Sequence, residues 1–337
     1  MKNHIYQVRN LKHTYQARPV LEIDKLSIVP KSIVGLMGPN GSGKSTLLKL
    51  LAFIEKPLAG EILFKGRRAQ PFSNDVRFQV TLLTQEPYLM QRSVFKNIAY
   101  GLEIRKQTQD CKKRVQEALA LVGLSYKSFA NRRSYQLSGG EAKRVALAAR
   151  LVLKPEVLLL DEPTASVDAA SAQLIKDASL KAREKWGATL VVASHDQQWL
   201  YEICDQVMYV FRGRIFGSGS ENMFFGPWRQ NADGQWEKIL SGPKILVSKP
   251  PSHNSVAIIY PDSIFLVKQK TGAHVHVLSG IVSRLILETS SENIIATILA
   301  GAFPFTLRLT QKQICDLNLY PGRKIFITYD LRKIRWV

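Results

Sequence analysis

Gly38-Pro39-Asn40-Gly41-Ser42-Gly43-Lys44-Ser45-Thr46 reads as a complete phosphate-cradling loop. The apolar run Ile33, Val34, Gly35, Leu36, Met37 precedes it, and Leu47, Leu48, Leu50 and Leu51 follow. Strand, glycine loop and helix is the context such a motif requires. The glycines let backbone N–H groups turn toward phosphate oxygens, and the helix N-terminus adds partial positive charge. Lys44 is placed to reach the β- and γ-phosphates, and the Ser45 hydroxyl to ligate Mg²⁺. A tight turn with a chance lysine is the plainer reading. The full match between an apolar strand and a helix argues against it.

The chain has 337 residues, enough for two or three domains. Its hydrophobic content of 45% is ample for a buried core. No apolar run approaches the ~18 residues of a membrane span. The start, Met1-Lys2-Asn3-His4-Ile5-Tyr6-Gln7, lacks the apolar stretch of a secretory signal, so retention in the cytosol is expected. Cys111, Cys204 and Cys315 are scattered and fit neither a disulfide framework nor a zinc site. The formal net charge of +20 favours nucleic acid, anionic lipid or an acidic partner. From Lys244 onward there are 12 basic and 5 acidic residues, +7 net, which leaves +13 for the rest. An excess spread this evenly suits work beside an anionic membrane face better than a dedicated nucleic-acid stripe.

Outward from the loop, Ile5–Val8, Leu26–Val29 and Ile33–Leu36 read as a small antiparallel sheet. A helix is expected over 45–54, with strands at Glu61–Phe64 and Val80–Leu83. The pattern turns helical from Val94 to Val122, and Gly123 is a helix stop. Glu141–Leu153 reads as a helix, Val157–Leu160 as a buried strand, Ala169–Trp186 as a helix and Thr189–Ala193 as a second buried strand. A short helix Gln197–Cys204 and a strand Val207–Phe211 follow. Helices alternating with wholly apolar strands predict an α/β fold with a mainly parallel sheet covered on both faces. After about Ser218 the character changes. Residues 226–243 carry turn and linker chemistry with Trp228 and Trp236 inserted. Beyond them come short β-rich runs: Ile245–Val247, Val256–Ile259, Ile264–Val267, Val275–Leu278, Val282–Leu287, Ile294–Leu299, Phe305–Leu309 and Lys324–Tyr329. The expectation is a small all-β barrel over 244–337 with one helical stretch at 310–318.

Val157-Leu158-Leu159-Leu160-Asp161-Glu162 is an apolar strand that ends in two carboxylates. In such sheets its carboxyl end lies beside the phosphate loop. Asp161 is placed to hold Mg²⁺ through water, and Glu162 to polarise an attacking water as general base. Between the two motifs stands Leu137-Ser138-Gly139-Gly140-Glu141, followed by Lys143 and Arg144. By itself this is a helix N-terminus capped by Ser138. With both nucleotide motifs in order around it, the chain resembles the ATP-binding subunit of an ABC transporter over about residues 4–220.

The resemblance implies ATP and Mg²⁺ as cofactors and ATP hydrolysis as the activity. It implies that the ATPase domain spans 1–225, with a helical subdomain at about 88–153. Tyr15 lies 29 residues before Lys44, where the family's aromatic residue stacks on adenine; a surface tyrosine is the alternative. Gln85 matches the glutamine that touches Mg²⁺ and the water and senses the membrane subunits; a solvated loop glutamine is its alternative. Ala165-Ser166-Val167-Asp168 matches the loop crossing a dimer interface, although helix capping by Asp168 explains it too. His195, in Ser194-His195-Asp196, matches the switch histidine near the γ-phosphate. By the same resemblance, the loop of one copy and Ser138, Gly139 and Gly140 of another enclose each ATP. The partners implied are a second copy, membrane permease subunits and, indirectly, a periplasmic or surface oxyanion-binding protein. The place implied is the cytoplasmic face of the cell membrane, with residues Tyr88–Tyr100 helping to form a groove for a permease helix. Pro30-Lys31-Ser32 stands where the family usually has a proline-glycine turn, so a modest local change is expected.

The tail resembles the TOBE domain of importer ATPases, an oligonucleotide-binding-like barrel. The matching stretches are Leu278-Ser279-Gly280-Ile281-Val282, Leu309-Thr310 and Leu317-Asn318-Leu319-Tyr320-Pro321-Gly322. Leu82-Leu83-Thr84-Gln85-Glu86-Pro87 and Asp161-Glu162-Pro163-Thr164-Ala165-Ser166-Val167-Asp168 look most like tungstate and molybdate importers. Import of sulfate, a polyamine or a sugar stays open. Ala273-His274-Val275-His276 stands where oxyanion-binding tails carry serine, alanine, arginine and asparagine, and their later serine and lysine are replaced near Gln313 and Asp330. A dianion needs charge-assisted donors, so this tail is not expected to bind tungstate in the usual way. His274 and His276 share a strand face but are too few for a closed metal site. The charge and the barrel also suit a soluble ABC ATPase acting on nucleic acid or ribosome. A single cassette without a coiled-coil insertion, and no basic-aromatic RNA motif, weigh against it, so no nucleic acid is expected.

Overall fold

The computed structural model describes residues 4–216, 222–239, 244–253, 255–267, 276–288, 293–301 and 303–337. His274, a possible metal ligand from sequence, lies outside them. The chain divides into two compact units, Met1–Leu200 with Cys204–Phe216, and Gly217–Val337 with the short stretch Tyr201–Ile203.

The first unit holds a six-stranded sheet in the order Arg214–Phe216, Gln206–Phe211, Ile33–Met37, Thr189–Ala193, Val157–Asp161, Val80–Leu83. Its neighbours run parallel except at the Arg214–Phe216 edge. Every residue of Ile33–Met37, Val157–Asp161 and Thr189–Ala193 is buried. That explains their continuous apolar sequence, because helices cover both faces of a parallel sheet. Ile33–Met37, expected in the antiparallel sheet, is instead central to this one. The antiparallel sheet is made by Arg18–Ile28, Tyr6–Tyr15, Ala59–Phe64 and Arg67–Arg68. Tyr6 joins it to the helix Lys44–Leu51 by donating its hydroxyl to the Leu51 carbonyl at 2.9 Å. In that helix Leu47, Leu48, Leu50 and Leu51 are fully buried.

The helical stretch Val94–Val122 holds two helices, Val94–Ile104 and Cys111–Leu121. Lys106 and Asp110 between them take φ of +54° and +53°, which no helix accommodates. Ser138 caps the helix Gly139–Leu151. At the altered proline-glycine turn Lys31 itself adopts φ +63°, and its N–H donates to Thr189 Oγ1 at 2.9 Å. The expected local change is thus a left-handed lysine where glycine is usual.

The second unit is β-rich. Residues 226–243, expected as a linker, contain the strands Arg229–Gln230 and Trp236–Ile239, the latter paired with Lys244–Val247. Asn231, Asp233 and Gly234 turn the chain between Arg229–Gln230 and Trp236–Ile239. A five-stranded sheet runs Ile264–Val267, Lys324–Tyr329, Leu278–Leu287, Asn293–Ala300, Phe303–Thr310. Among the described residues no pairing joins its two outer strands. Leu278–Leu287 is one strand that spans the expected run Val282–Leu287 and the end of the run before it. The core gathers Trp228, Phe305, Ile298 and Ile327. Two of its large aromatic side chains satisfy their polar atoms on backbone carbonyls: Trp228 Nε1 donates to Ser255 O at 2.7 Å, and Tyr329 Oη to Leu246 O at 2.9 Å.

His276 packs edge-on against Tyr329, with ring centroids 5.2 Å apart. Its Nε2 accepts from Leu246 N at 3.5 Å, a structural role that leaves no metal-binding lone pair there. Burial lowers its pKa from 6.5 to about 4. The unfolded chain takes up this proton near pH 6.5, the folded unit only near pH 4. Stability present above pH 6.5 is therefore lost as pH falls toward 4, to the extent of about 3 kcal/mol. Urea unfolding of the β-rich unit at pH 7 and pH 4.5 should show the loss, and His276→Phe should flatten it.

Candidate nucleotide site

The register of the parallel strands decides where the site lies. Leu36 pairs with Ala193, and Ala193 with Asp161. Three strands therefore finish at one level. The glycine loop leaves the first, Glu162 follows the second, and Ser194-His195 follows the third. Cross-bonds fix this edge: Ser194 N donates to Leu36 O at 3.1 Å and Glu162 N to Ala193 O at 2.9 Å.

In the loop, Gly38 has φ +148° and a Cβ there would fall 2.0 Å from the Val210 carbonyl. Gly43, the residue capping the helix, has φ +107° and leaves no room beside Leu21. Both positions accept only glycine. Pro39, Asn40 and Gly41 form an exposed rim, while Ser42, Lys44 and Thr46 are buried. Lys44 Nζ donates to Gly38 O at 2.8 Å and Pro39 O at 3.1 Å, which holds the ammonium over the mouth of the loop. Burial lowers its pKa, while the Glu162 and Asp161 carboxylates favour its charged form.

Two buried polar atoms here have no hydrogen-bond partner, Ser42 Oγ and Asp161 Oδ1. A buried orphan of this kind calls for a ligand or ion. Burial pushes the Asp161 carboxyl up, and the Ser45 hydroxyl beside it pulls it back down. A hydroxyl and a carboxylate oxygen side by side are hard donors of the kind Mg²⁺ takes. A hydroxyl and inward-facing amides suit phosphate oxygens.

Glu162 is buried and stands at φ +44°. Its Oε2 lies 2.8 Å from Nδ1 of His195, whose ring is largely in solvent. Gln85 follows the strand Val80–Leu83 and is exposed; the Leu83–Leu160 pairing brings it to the same edge. Among the described residues no hydrogen bond joins it to Asp161 or Glu162.

Tyr15 is 40% exposed and donates its hydroxyl to Glu55 Oε2 at 2.5 Å. Burial, and then that carboxylate, raise its pKa, whereas Thr46 of the loop opposes them. The ring thus stands next to the phosphate loop. His13 meets it edge-on at 5.0 Å, and His13 Nε2 lies 3.3 Å from Glu55 Oε2 without hydrogen-bond geometry. Glu55 is a residue that sequence reading missed, since only the fold brings it to Tyr15.

Ser138 and Gly139 are exposed, and Gly140 is buried. Ser138 Oγ accepts from Glu141 N at 3.2 Å, and Glu141 Oε2 accepts from Ser138 N at 2.8 Å, a capping box. Asp168 caps the helix Ala169–Trp186 by accepting from Ser171 N at 2.8 Å. Among the described residues no hydrogen bond or ion pair joins Ser138–Gly140 to Gly38–Thr46. The structure therefore brings together Lys44, Ser45, Asp161, Glu162 and His195, and leaves the Ser138 motif outside that group.

The ABC transporter family model matches residues 21–165. The tungstate uptake system ATP-binding protein TupC of Peptoclostridium acidaminophilum is 34% identical over 219 residues, 65% of this chain and 98% of that protein. This chain belongs to the ABC transporter ATP-binding subunits. The ABC importer subunits it matches also include the spermidine/putrescine import protein PotA of Mesoplasma florum, 36% identical over 72% of this chain and 70% of that protein. The sulfate/thiosulfate import protein CysA of Synechococcus elongatus is 39% identical over 64% of this chain and 62% of that protein. Among solved structures, cbiO1 of Clostridium perfringens, part of the cbiONQ ABC transporter complex, superposes with a TM-score of 0.58 at 30% identity, over 65% of this chain and 90% of that one. The cassette MJ0796, solved as a dimer bound to ADP and phosphate, has the same TM-score at 27% identity, over 63% of this chain and 97% of that one. The activity of this ABC importer subunit is ATP hydrolysis coupled to transport.

The Glu55 contact yields an expectation about adenine binding. Glu55→Ala frees the Tyr15 ring and should weaken ATP binding about threefold to tenfold, the scale of one oriented aromatic contact. Turnover at saturating ATP should change less than twofold, as checked by titration with a fluorescent ATP analogue and by steady-state kinetics.

Proposed function

We propose that two copies of this chain clamp two MgATP between them and drive import of tungstate or molybdate through separate permease subunits. The reading rests on the meeting of Lys44, Asp161, Glu162 and His195 at the carboxyl ends of three paired strands. Lys44 and the loop amides bind the phosphates, while Ser45, Asp161 and Gln85 hold the metal. Bound Mg²⁺ supplies neutralisation of charge on the transferring phosphoryl group. Glu162 takes the proton of the attacking water, and His195 holds the Glu162 carboxylate in line. Tyr15 stacks on adenine. Ser138, Gly139 and Gly140 serve the partner's ATP, which accords with their exposed helix start and its separation from the chain's own loop; Asp168 lies at that interface. Catalysis then consists of positioning and charge neutralisation.

The permease makes the pore, for among the described residues no helix is long and apolar enough to cross a membrane. The subunit sits at the cytoplasmic face. Tyr88 is 82% exposed beyond Gln85 and offers a surface for a permease helix. The tungstate relative, matched along 98% of its length, supports the cargo. Polyamine import is the second reading, because that relative matches 247 residues of this chain.

The β-rich unit is read as TOBE-like without the usual oxyanion site. Gln313 is taken up in a capping box with Thr310, and Asp330 binds the Arg332 guanidinium at 3.1 Å. Neither offers a cationic donor to a dianion.

The test is ATPase activity of the reconstituted transporter with its binding protein loaded in turn with tungstate, molybdate, sulfate and spermidine. Tungstate or molybdate should stimulate, and stimulation by spermidine or sulfate alone would reassign the cargo. Tungstate added on the ATPase side should not inhibit; inhibition at micromolar concentrations would contradict the reading of the tail.

A further inference from the structure

We infer that Lys143 is a positioning residue for ATP hydrolysis, tying the helix that starts at Ser138–Gly140 to the turn that aims Glu162. The inference rests on the proposed role of Glu162 as general base.

Lys143 lies one turn into the helix Gly139–Leu151 and is 3% exposed. An ammonium so deeply buried is costly unless its protons find acceptors. Nζ donates to Glu162 O and to Ala165 O, both at 2.9 Å. The two carbonyls bracket the turn Glu162-Pro163-Thr164-Ala165, and Ala165 N also donates to Glu162 O at 3.1 Å. A point charge with three donors can hold both ends of a turn from one position.

The turn needs such a hold. Glu162 has φ +44° and Ser166 φ +59°, left-handed conformations that side chains with a Cβ seldom adopt. Strain of this kind persists only where surrounding contacts impose it. The Glu162 side chain leaves from that strained residue and meets His195 at 2.8 Å. Its direction therefore depends on the backbone that Lys143 holds.

The same helix also meets the element that follows this turn. A Cβ at Gly140 would lie 2.6 Å from Ser171 Oγ and 3.0 Å from Asp168 Oδ2, so the helix start packs closely on the cap and first turn of the helix Ala169–Trp186. Gly140 and Lys143 are three residues apart, on one face of the helix. Held at both points, the helix start and the Glu162 turn shift together. Ser138 and Gly139 open to solvent at that start, so whatever engages them is felt at the catalytic carboxylate.

A lysine that only supported the fold would alter stability or nucleotide affinity, not the chemical step alone. The test compares full-length wild type, Lys143→Met, Lys143→Gln and Glu162→Gln in steady-state ATPase kinetics and in binding of a fluorescent ATP analogue. Lys143→Met should lower kcat about 10- to 100-fold, the scale of a small misplacement of a reacting group, with KM for MgATP within about threefold of wild type. Lys143→Gln keeps an amide donor and should recover most of that loss. Wild-type kcat in both lysine variants, with Glu162→Gln inactive, overturns the inference alone. If Lys143→Met fails to bind nucleotide, Lys143→Gln decides: reduced affinity at unchanged kcat makes the residue structural and overturns the inference. Normal turnover by Glu162→Gln removes the general base, and the positioning role falls with it.

Discussion

The in-register parallel pairing of Ile33–Met37, Thr189–Ala193 and Val157–Asp161 is the constraint on which the nucleotide site depends. Each strand is buried along its whole length, so each must be apolar until its last residue. The chemistry begins where the apolar runs end. Because Leu36, Ala193 and Asp161 stand in one row, the glycine loop, the carboxylates and His195 emerge together. A slip of one residue would take the glycine loop, Asp161 and His195 out of their common row and move Asp161 away from Ser45.

Such an edge is poor ground for stability. Lys44, Asp161, Glu162 and Lys143 are all nearly excluded from water. Buried charges rarely stabilise a fold in net terms, and a core of apolar residues would serve better. Their neighbours explain how they are tolerated. Lys44 and Lys143 each find two backbone carbonyls, and the carboxylates share their field. Ser42 Oγ and Asp161 Oδ1 remain without protein partners, a deficit that bound phosphate and metal would remove. The left-handed Glu162 belongs to the same pattern of local cost at a working site.

The site was legible in sequence where chemistry demands particular residues at consecutive positions. The glycine loop, Asp161-Glu162 and Ser194-His195 each follow an apolar strand, and adjacency carries the signal. Ala169–Trp186 and Thr189–Ala193 were legible to the residue because periodicity and burial agree there. What depends on distant partners was not legible. Ile33–Met37 looks the same in either sheet until its neighbours are known. The break at Lys106 and Asp110 carries no glycine or proline to announce it. Turn residues in 226–243 mark hairpins and linkers alike. Glu55 reaches Tyr15 from 40 residues away, and Lys143 reaches Glu162 from 19. Neither contact has a local pattern, although a lysine on the inner face of a helix was a signal that could have been followed.

In the proposed dimer one copy cannot enclose its nucleotide, because its Ser138 motif serves the partner's phosphate loop. The most direct measurement is the molar mass of Glu162→Gln by light scattering, with and without MgATP. A shift from monomer to dimer that requires MgATP, and that Ser138→Arg abolishes, is the predicted result. A protein that binds MgATP tightly yet stays monomeric at every concentration, alone or beside its permease, would contradict it.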